Sequence, residues 1–117
     1  MIDLHIHSKY SDGKKTLTEI LKIADYNNLE YISITDHDNV DVYYELLNMD
    51  YKKYFKGKII KGAEIRAICN KVPIEILAYD YDLDLLDKYL DYTNQKVKTA
   101  YIEQFDHLKN VCKNNRN

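Results

Sequence analysis

Cysteine is scarce in this chain. The 117 residues hold two, Cys69 and Cys112, far apart and without a CxxC partner. That excludes a disulfide scaffold and a zinc ribbon, and free thiols in a reducing compartment are expected. Tryptophan is absent, proline occurs once and glycine three times, and no repeat, low-complexity tract or linker is visible. Charge of one sign is not in excess either. A net charge of -2 gives no basic field, which argues against non-specific nucleic-acid binding by bulk electrostatics. Recognition of a phosphate through metal ions stays open. No apolar run reaches transmembrane length, and the first residues carry neither a charged leader nor an apolar core of one. A cytoplasmic protein with no membrane contact is expected.

What is present is an ordinary globular composition, 45% hydrophobic and 31% charged, with length for one domain over residues 1–117 and a real core. Tyrosine is frequent and lysine far outnumbers arginine, which reads as compositional bias. Met1 to Ile6 reads as a short buried strand. Thr16 with Glu19 fits a capping box opening a helix whose apolar residues are Leu17, Ile20, Leu21 and Ala24, with Asn27-Asn28 as its stop. Tyr31 to Thr35 is a second strand. Val42 to about Tyr54 is a weaker helix. Lys58 to Ile68 is a third strand region, Cys69-Asn70-Lys71 a turn and Val72 to Tyr79 a fourth strand, with Pro73 suiting an edge. From about Asp84 to Asn114 the apolar spacing predicts one long amphipathic helix. Strand, helix, strand, helix, strand implies parallel pairing in an α/β layout.

The residues that carry chemistry cluster at strand ends, where α/β folds gather functional groups. His5 and His7 alternate on one strand, so they point the same way. Asp12 follows on a loop, His37 ends the second strand, Glu64 interrupts the third and Glu75 lies on the fourth. Imidazole and carboxylate donors suit zinc, manganese or iron. Taken alone, His5 and His7 fit a solvent-facing strand equally well, His37 fits an exposed turn and Glu75 fits an exposed edge. An adjacent carboxylate in Asp36-His37-Asp38 is expected to orient the imidazole. His107 reads as a surface helix residue, and Asp80, Asp82, Asp84 and Asp87 as a solvated run that starts the last helix. No separate Ser or Cys nucleophile motif is seen.

Asp3-Leu4-His5-Ile6-His7-Ser8 with Ser11-Asp12-Gly13, then Ile34-Thr35-Asp36-His37-Asp38, then Gly62-Ala63-Glu64-Ile65, resemble the first three motifs of the PHP (polymerase and histidinol phosphatase) domain, in order and in spacing. Within that superfamily the sequence is similar to the metal-dependent phosphoesterases of the TrpH type, which act on nucleoside bisphosphates or RNA 5′ ends. The resemblance implies a distorted (β/α)7 TIM-like barrel, of which this chain supplies about the first, amino-terminal half followed by the long helix. It implies up to three divalent ions, with His5, His7 and Glu64 on the first, Glu64 bridging to a second, and Asp12 and His37 on the third. The activity implied is hydrolysis of a phosphomonoester, of a small substrate such as a nucleotide or an RNA end, by metal-activated water. The fourth motif departs: Glu75-Ile76-Leu77-Ala78-Tyr79 stands where the family has His-Ile-Leu-Gly-Tyr. The family's later histidine and Asp-x-His pair have no counterpart in these residues. The alternative expectation is therefore a catalytically incomplete remnant, or fragment, that binds metal or a partner. The open edges of a half-barrel are expected to pair two copies as a homodimer.

Overall fold

A computed structural model describes residues 1–97 of the chain. Two compact units are present, Met1–Asp87 and Lys88–Asn117. The first unit starts with strand β1 (Ile2–Ile6), helix α1 (Leu17–Tyr26), strand β2 (Tyr31–Ile34) and helix α2 (Asp41–Leu47). A 3-10 turn at Tyr51–Lys53 leads to the short strand β3 (Lys58–Ile59), then to β4 (Gly62–Cys69) and β5 (Val72–Tyr79). The architecture is mixed α/β. Strands β1, β2 and β3 form a parallel sheet in that order, and β4 and β5 form an antiparallel pair. The helical crossovers are what parallel neighbours require.

Local chemistry explains the elements that match expectation. Thr16 is the N-cap of α1, and a complete capping box joins it to Glu19, a contribution of about 1 kcal/mol. Leu17, Ile20, Leu21 and Ala24 are the buried residues of α1, three or four apart as one helix face demands. Asn27 caps the C-terminus and Asn28 takes φ 55°. Between β4 and β5 the loop is Asn70-Lys71, with φ 50° and 65°. Positive φ at both residues of a two-residue loop is the condition that keeps a twisted hairpin in register. Residues 83–97 are helical, and the Asp82 carboxylate accepts from Leu85 N at 3.0 Å at the helix start. The remainder of the expected long helix, with His107 and Cys112, lies outside the described residues. Cys69 is free and exposed.

Three expectations are corrected. β1 is not buried: Ile2 is 56% exposed and its other residues are exposed or half-buried, because among the described residues β1 pairs only with β2 and forms the sheet edge. The second helix is shorter than Val42–Tyr54. It stops at Leu47, where Asn48 is the C-cap and donates its side-chain amide to Tyr44 O at 3.0 Å, a local bond that competes with further helix. The third strand region is not continuous. After Ile60 N bonds Ile32 O at 2.9 Å, the chain leaves β2 and returns at Glu64, whose N donates to Asp36 O at 3.0 Å.

That excursion is filled by one side chain. The Tyr43 hydroxyl accepts from Ile34 N at 3.1 Å and Gly62 N at 2.9 Å, and donates to Ile34 O at 2.6 Å. It replaces the ladder bonds that β2 would lose where β3 departs. Gly62 is required there, because a Cβ would collide with Ser33 Oγ and lie 2.7 Å from Thr35 Cγ2. With the detour accommodated, Glu64 rejoins β2 as a parallel bridge partner of His37.

Candidate metal centre

The donors reach one place by four separate routes. His5 sits within a register irregularity of β1 between Asp3 and Ile6, and its N donates to Asp3 Oδ1 at 3.2 Å. Bulges of this kind re-aim a side chain. His7 follows the strand, and the two rings lie 5.1 Å apart. Asp12 belongs to the loop after β1, which Gly13 presses against the strand end: Gly13 N donates to Ser8 O at 2.9 Å, and a Cβ at that position would strike His7 O. His37 follows β2, and Glu64 is delivered by the return of β4.

The resulting contacts are short. His5 Nε2 is 2.8 Å from Glu64 Oε1, and His37 Nδ1 is 2.7 Å from Glu64 Oε2. Asp12 spans two imidazoles, with Oδ1 at 2.7 Å from His7 Nδ1 and Oδ2 at 3.2 Å from His37 Nε2. His7 Nε2 lies 4.0 Å from Glu64 Oε2. Glu64 is buried, whereas Asp12 and Glu75 are exposed. Burial of the Asp12 carboxyl works to raise its pKa, but His7 and His37 together outweigh it and hold the group below the usual carboxylate range.

Three sets of donor atoms each lie within 4.8 Å of one another: His5, His7 and Glu64; His7, Asp12 and His37; and His37, Glu64 and Glu75. Neighbouring sets share His7, His37 or Glu64. All six residues singled out in the sequence are thus brought together. The fit to a cation has an independent sign. His7 Nδ1 is buried and makes no well-aligned hydrogen bond, although it lies 2.7 Å from Asp12 Oδ1. A buried polar atom without a good hydrogen bond is costly, and a shared cation would satisfy it. The donor chemistry, imidazole plus carboxylate, matches divalent first-row metals.

One role read from the sequence is corrected. The carboxylate of Asp36 does not orient His37. It is fully buried and accepts from Ser8 N and Ser8 Oγ, both at 2.6 Å, and from Ser11 Oγ at 2.7 Å. Asp36 therefore ties the loop bearing Asp12 to the end of β2. His37 is oriented instead by Glu64 and Asp12. The acidic residue that follows, Asp38, takes φ 52° and accepts from Arg66 N at 2.9 Å and Arg66 Nε at 2.6 Å. The spacing of Ser8, Ser11 and Asp36 carried no sign of this tie, because hydroxyl residues in a loop read equally as turn formers. Within the acidic run Asp82 meets the helix start, as expected, whereas Asp84 accepts from the Tyr44 hydroxyl at 2.7 Å, and this bond raises the Tyr44 pKa.

The frame is mixed α/β, and its overlapping imidazole–carboxylate triads could hold metal ions; comparison sharpens the class. The chain belongs to the PHP domain family, whose model matches residues 3–116. Two solved structures are similar. One is a protein assigned as a metal-dependent phosphoesterase from Bifidobacterium adolescentis, with 26% identity and a TM-score of 0.68 over 79% of this chain and 32% of that one. The other is an amidohydrolase from Chromobacterium violaceum, holding sulfate and no metal, with 26% identity and a TM-score of 0.68 over 78% of this chain and 32% of that one. The chain spans about a third of the length of either. No curated protein matches it. Among the described residues no helix is long and apolar enough to cross a membrane.

Proposed function

We propose that this chain is the amino-terminal part of a metal-dependent phosphoesterase, in which β1, β2 and β3 begin a distorted (β/α)7 barrel. The observation that carries the reading is the linked set of donor triads with the poorly bonded His7 Nδ1 at its centre. His5, His7 and Glu64 would hold one ion, Asp12 and His37 with His7 another, and Glu64 would bridge to a position completed by Glu75. Divalent ions such as zinc, manganese or iron, when bound, lower the pKa of water and polarise phosphoryl oxygens. The chain's own residues place the charges: Glu64 and Asp12 set two carboxylates between three imidazoles, and Asp36 keeps the Asp12 loop from drifting. A phosphomonoester, as on a nucleotide or RNA end, is favoured as substrate. The sulfate in the metal-free C. violaceum amidohydrolase is a tetrahedral dianion of the same shape as phosphate.

A second reading has one observation behind it. Glu75 is exposed on β5, which pairs only with β4 among the described residues. On that reading the cluster binds metal without turnover, and the same edge, with Val72, Ile74 and Ile76 exposed, pairs two copies.

The two are separated by incubating the purified chain with Mn²⁺ and p-nitrophenyl phosphate beside a His5→Ala/His7→Ala variant. The phosphoesterase reading expects phosphate release at least a hundredfold above that of the variant, with bound metal lost from the variant by elemental analysis. Metal bound without release supports the second reading. Equal release and equal metal in both proteins refute the site altogether.

A further inference from the structure

The three donor sets differ in what they offer a cation. His5, His7 and Glu64 give two imidazoles and one carboxylate, and His7, Asp12 and His37 repeat that ratio. The set of His37, Glu64 and Glu75 reverses it, with one imidazole and two carboxylates. His5 belongs to the first set alone and Glu75 to the third alone, whereas Glu64 serves both. The two oxygens of Glu64 already divide in that sense. Oε1 is 2.8 Å from His5 Nε2, and Oε2 is 2.7 Å from His37 Nδ1. One carboxylate can thus present a separate oxygen to each of two ions.

The hairpin register explains how Glu75 reaches the third set. Glu64 pairs with Leu77 and Arg66 with Glu75, so Glu75 is the diagonal neighbour of Glu64 on one face of the ribbon. Its donor oxygen lies within 4.8 Å of the donor atoms of Glu64 and His37. Two carboxylates at that range repel unless positive charge lies between them. Glu75 is also exposed, so water can complete a coordination sphere on its side. Hard cations of the manganese and magnesium class favour carboxylate oxygens and keep water ligands. Zinc and iron favour imidazole, and two histidines with one glutamate suffice for zinc. Zinc binds most nitrogen and oxygen sites more tightly than manganese, so the donor set decides the size of the gap.

We propose that the cluster is a mixed-metal centre. The set of His5, His7 and Glu64 takes an imidazole-preferring ion of the zinc and iron class. The set of His37, Glu64 and Glu75 takes a hard cation of the manganese and magnesium class, and Glu75 is the residue that sets this preference. The assignment rests on reading the cluster as a metal centre, but it concerns which ion sits where and not turnover, so the two can fail separately. The full chain, stripped with chelator, is loaded with one equivalent of Zn²⁺ and titrated with Mn²⁺. Bound Mn²⁺ is followed by electron paramagnetic resonance, and both metals by elemental analysis. The wild type is expected to take up Mn²⁺ without releasing Zn²⁺. Glu75→Gln, a change at an exposed position with little effect on folding, should weaken Mn²⁺ binding at least tenfold and keep the Zn²⁺. Glu75→His should bind a second equivalent of Zn²⁺ at least tenfold more tightly than the wild type does. His5→Ala should weaken Zn²⁺ at least tenfold and leave Mn²⁺ affinity within threefold. Equal Mn²⁺ affinity in wild type and Glu75→Gln overturns the proposal, as does Mn²⁺ that displaces the Zn²⁺ from the wild type. A Glu75→His variant with no gain in Zn²⁺ affinity, or a Glu75→Gln variant that loses both metals, overturns it too. If the metals divide as expected and the wild type releases no phosphate from p-nitrophenyl phosphate, the phosphoesterase reading fails and the mixed-metal centre stands. Phosphate release with Mn²⁺ uptake indifferent to Glu75 keeps that reading and removes this one.

Discussion

The parallel sheet and the β4–β5 hairpin are built by opposite means. Around β2 polar groups are buried and tied to distant segments: Thr35 and Asp36 are inaccessible, Asp36 accepts from Ser8 and Ser11, and the Tyr43 hydroxyl stitches β2 to the start of β4. The hairpin is held by its own ladder and turn, and much of its apolar surface faces out, with Ile68 79%, Val72 57% and Ile76 46% exposed. Yet Glu64 and Glu75 belong to the hairpin, His5 to β1, and His7 and His37 to the segments that follow β1 and β2. The candidate centre lies where a rigid, polar-stitched region meets a ribbon anchored mainly at its inner end, by the Glu64 bridge to His37 and by the Tyr79 hydroxyl on Leu4 O at 2.7 Å. The precision of the site therefore depends on a few bonds across that junction.

The largest effect is expected from breaking the stitched side. Asp36→Ala strands the N–H and hydroxyl of Ser8 and the hydroxyl of Ser11 in a buried place, at a cost of about 4 kcal/mol. Urea midpoints should show the loss, and metal uptake should fall with it because the Asp12 loop is released. The backbone amide signals of the hairpin tip should move little in the same variant. A variant as stable as the wild type would show that the Asp36 bonds are not what holds the loop.

A smaller loss, about 2 kcal/mol, is expected for Tyr43→Phe, which leaves Ile34 N and Gly62 N without their acceptor. Burial raises the Tyr43 pKa above the ordinary phenol value of about 10. The unfolded chain then ionises first as pH rises. The stability linked to this tyrosine is accordingly complete below about pH 10 and is lost as pH climbs through the higher folded-state value. Tyr43→Phe should flatten that alkaline fall, read as urea midpoint against pH. Parallel alkaline curves for the two proteins would place the effect elsewhere, for example on Tyr81, whose pKa burial also raises.

The smallest stability change belongs to the hairpin. Ile76→Asp alters an exposed position and should shift folding stability by no more than about 0.5 kcal/mol. If the β5 edge pairs two copies, the same substitution should convert dimer to monomer in light scattering at high concentration. A wild-type chain that is strictly monomeric under those conditions removes the self-association idea.

What the sequence determined by itself is local. The capping box at Thr16 and Glu19, the period of Leu17, Ile20, Leu21 and Ala24, and the bounds of β5 at Val72 and Tyr79 follow from interactions within a few residues, and all appear as read. So does the parallel order of the first three strands, and His5, His7, Asp12, His37, Glu64 and Glu75, which marked themselves as candidate ligands by residue type, lie close together. The tertiary structure decided what depends on distant partners. It turned β1 into an exposed edge, cut the Lys58–Ile68 region in two, and gave Asp36 to Ser8 and Ser11 rather than to His37. Each of these turns on a contact between segments some 25 to 28 residues apart or on the lack of a second neighbour among the described residues, and such information has no period and no local motif. The stretch from Asp3 to Gly13 carries the donors, but only the detour before Glu64, packed with Tyr43 and relieved by Gly62, brings the carboxylate that joins them.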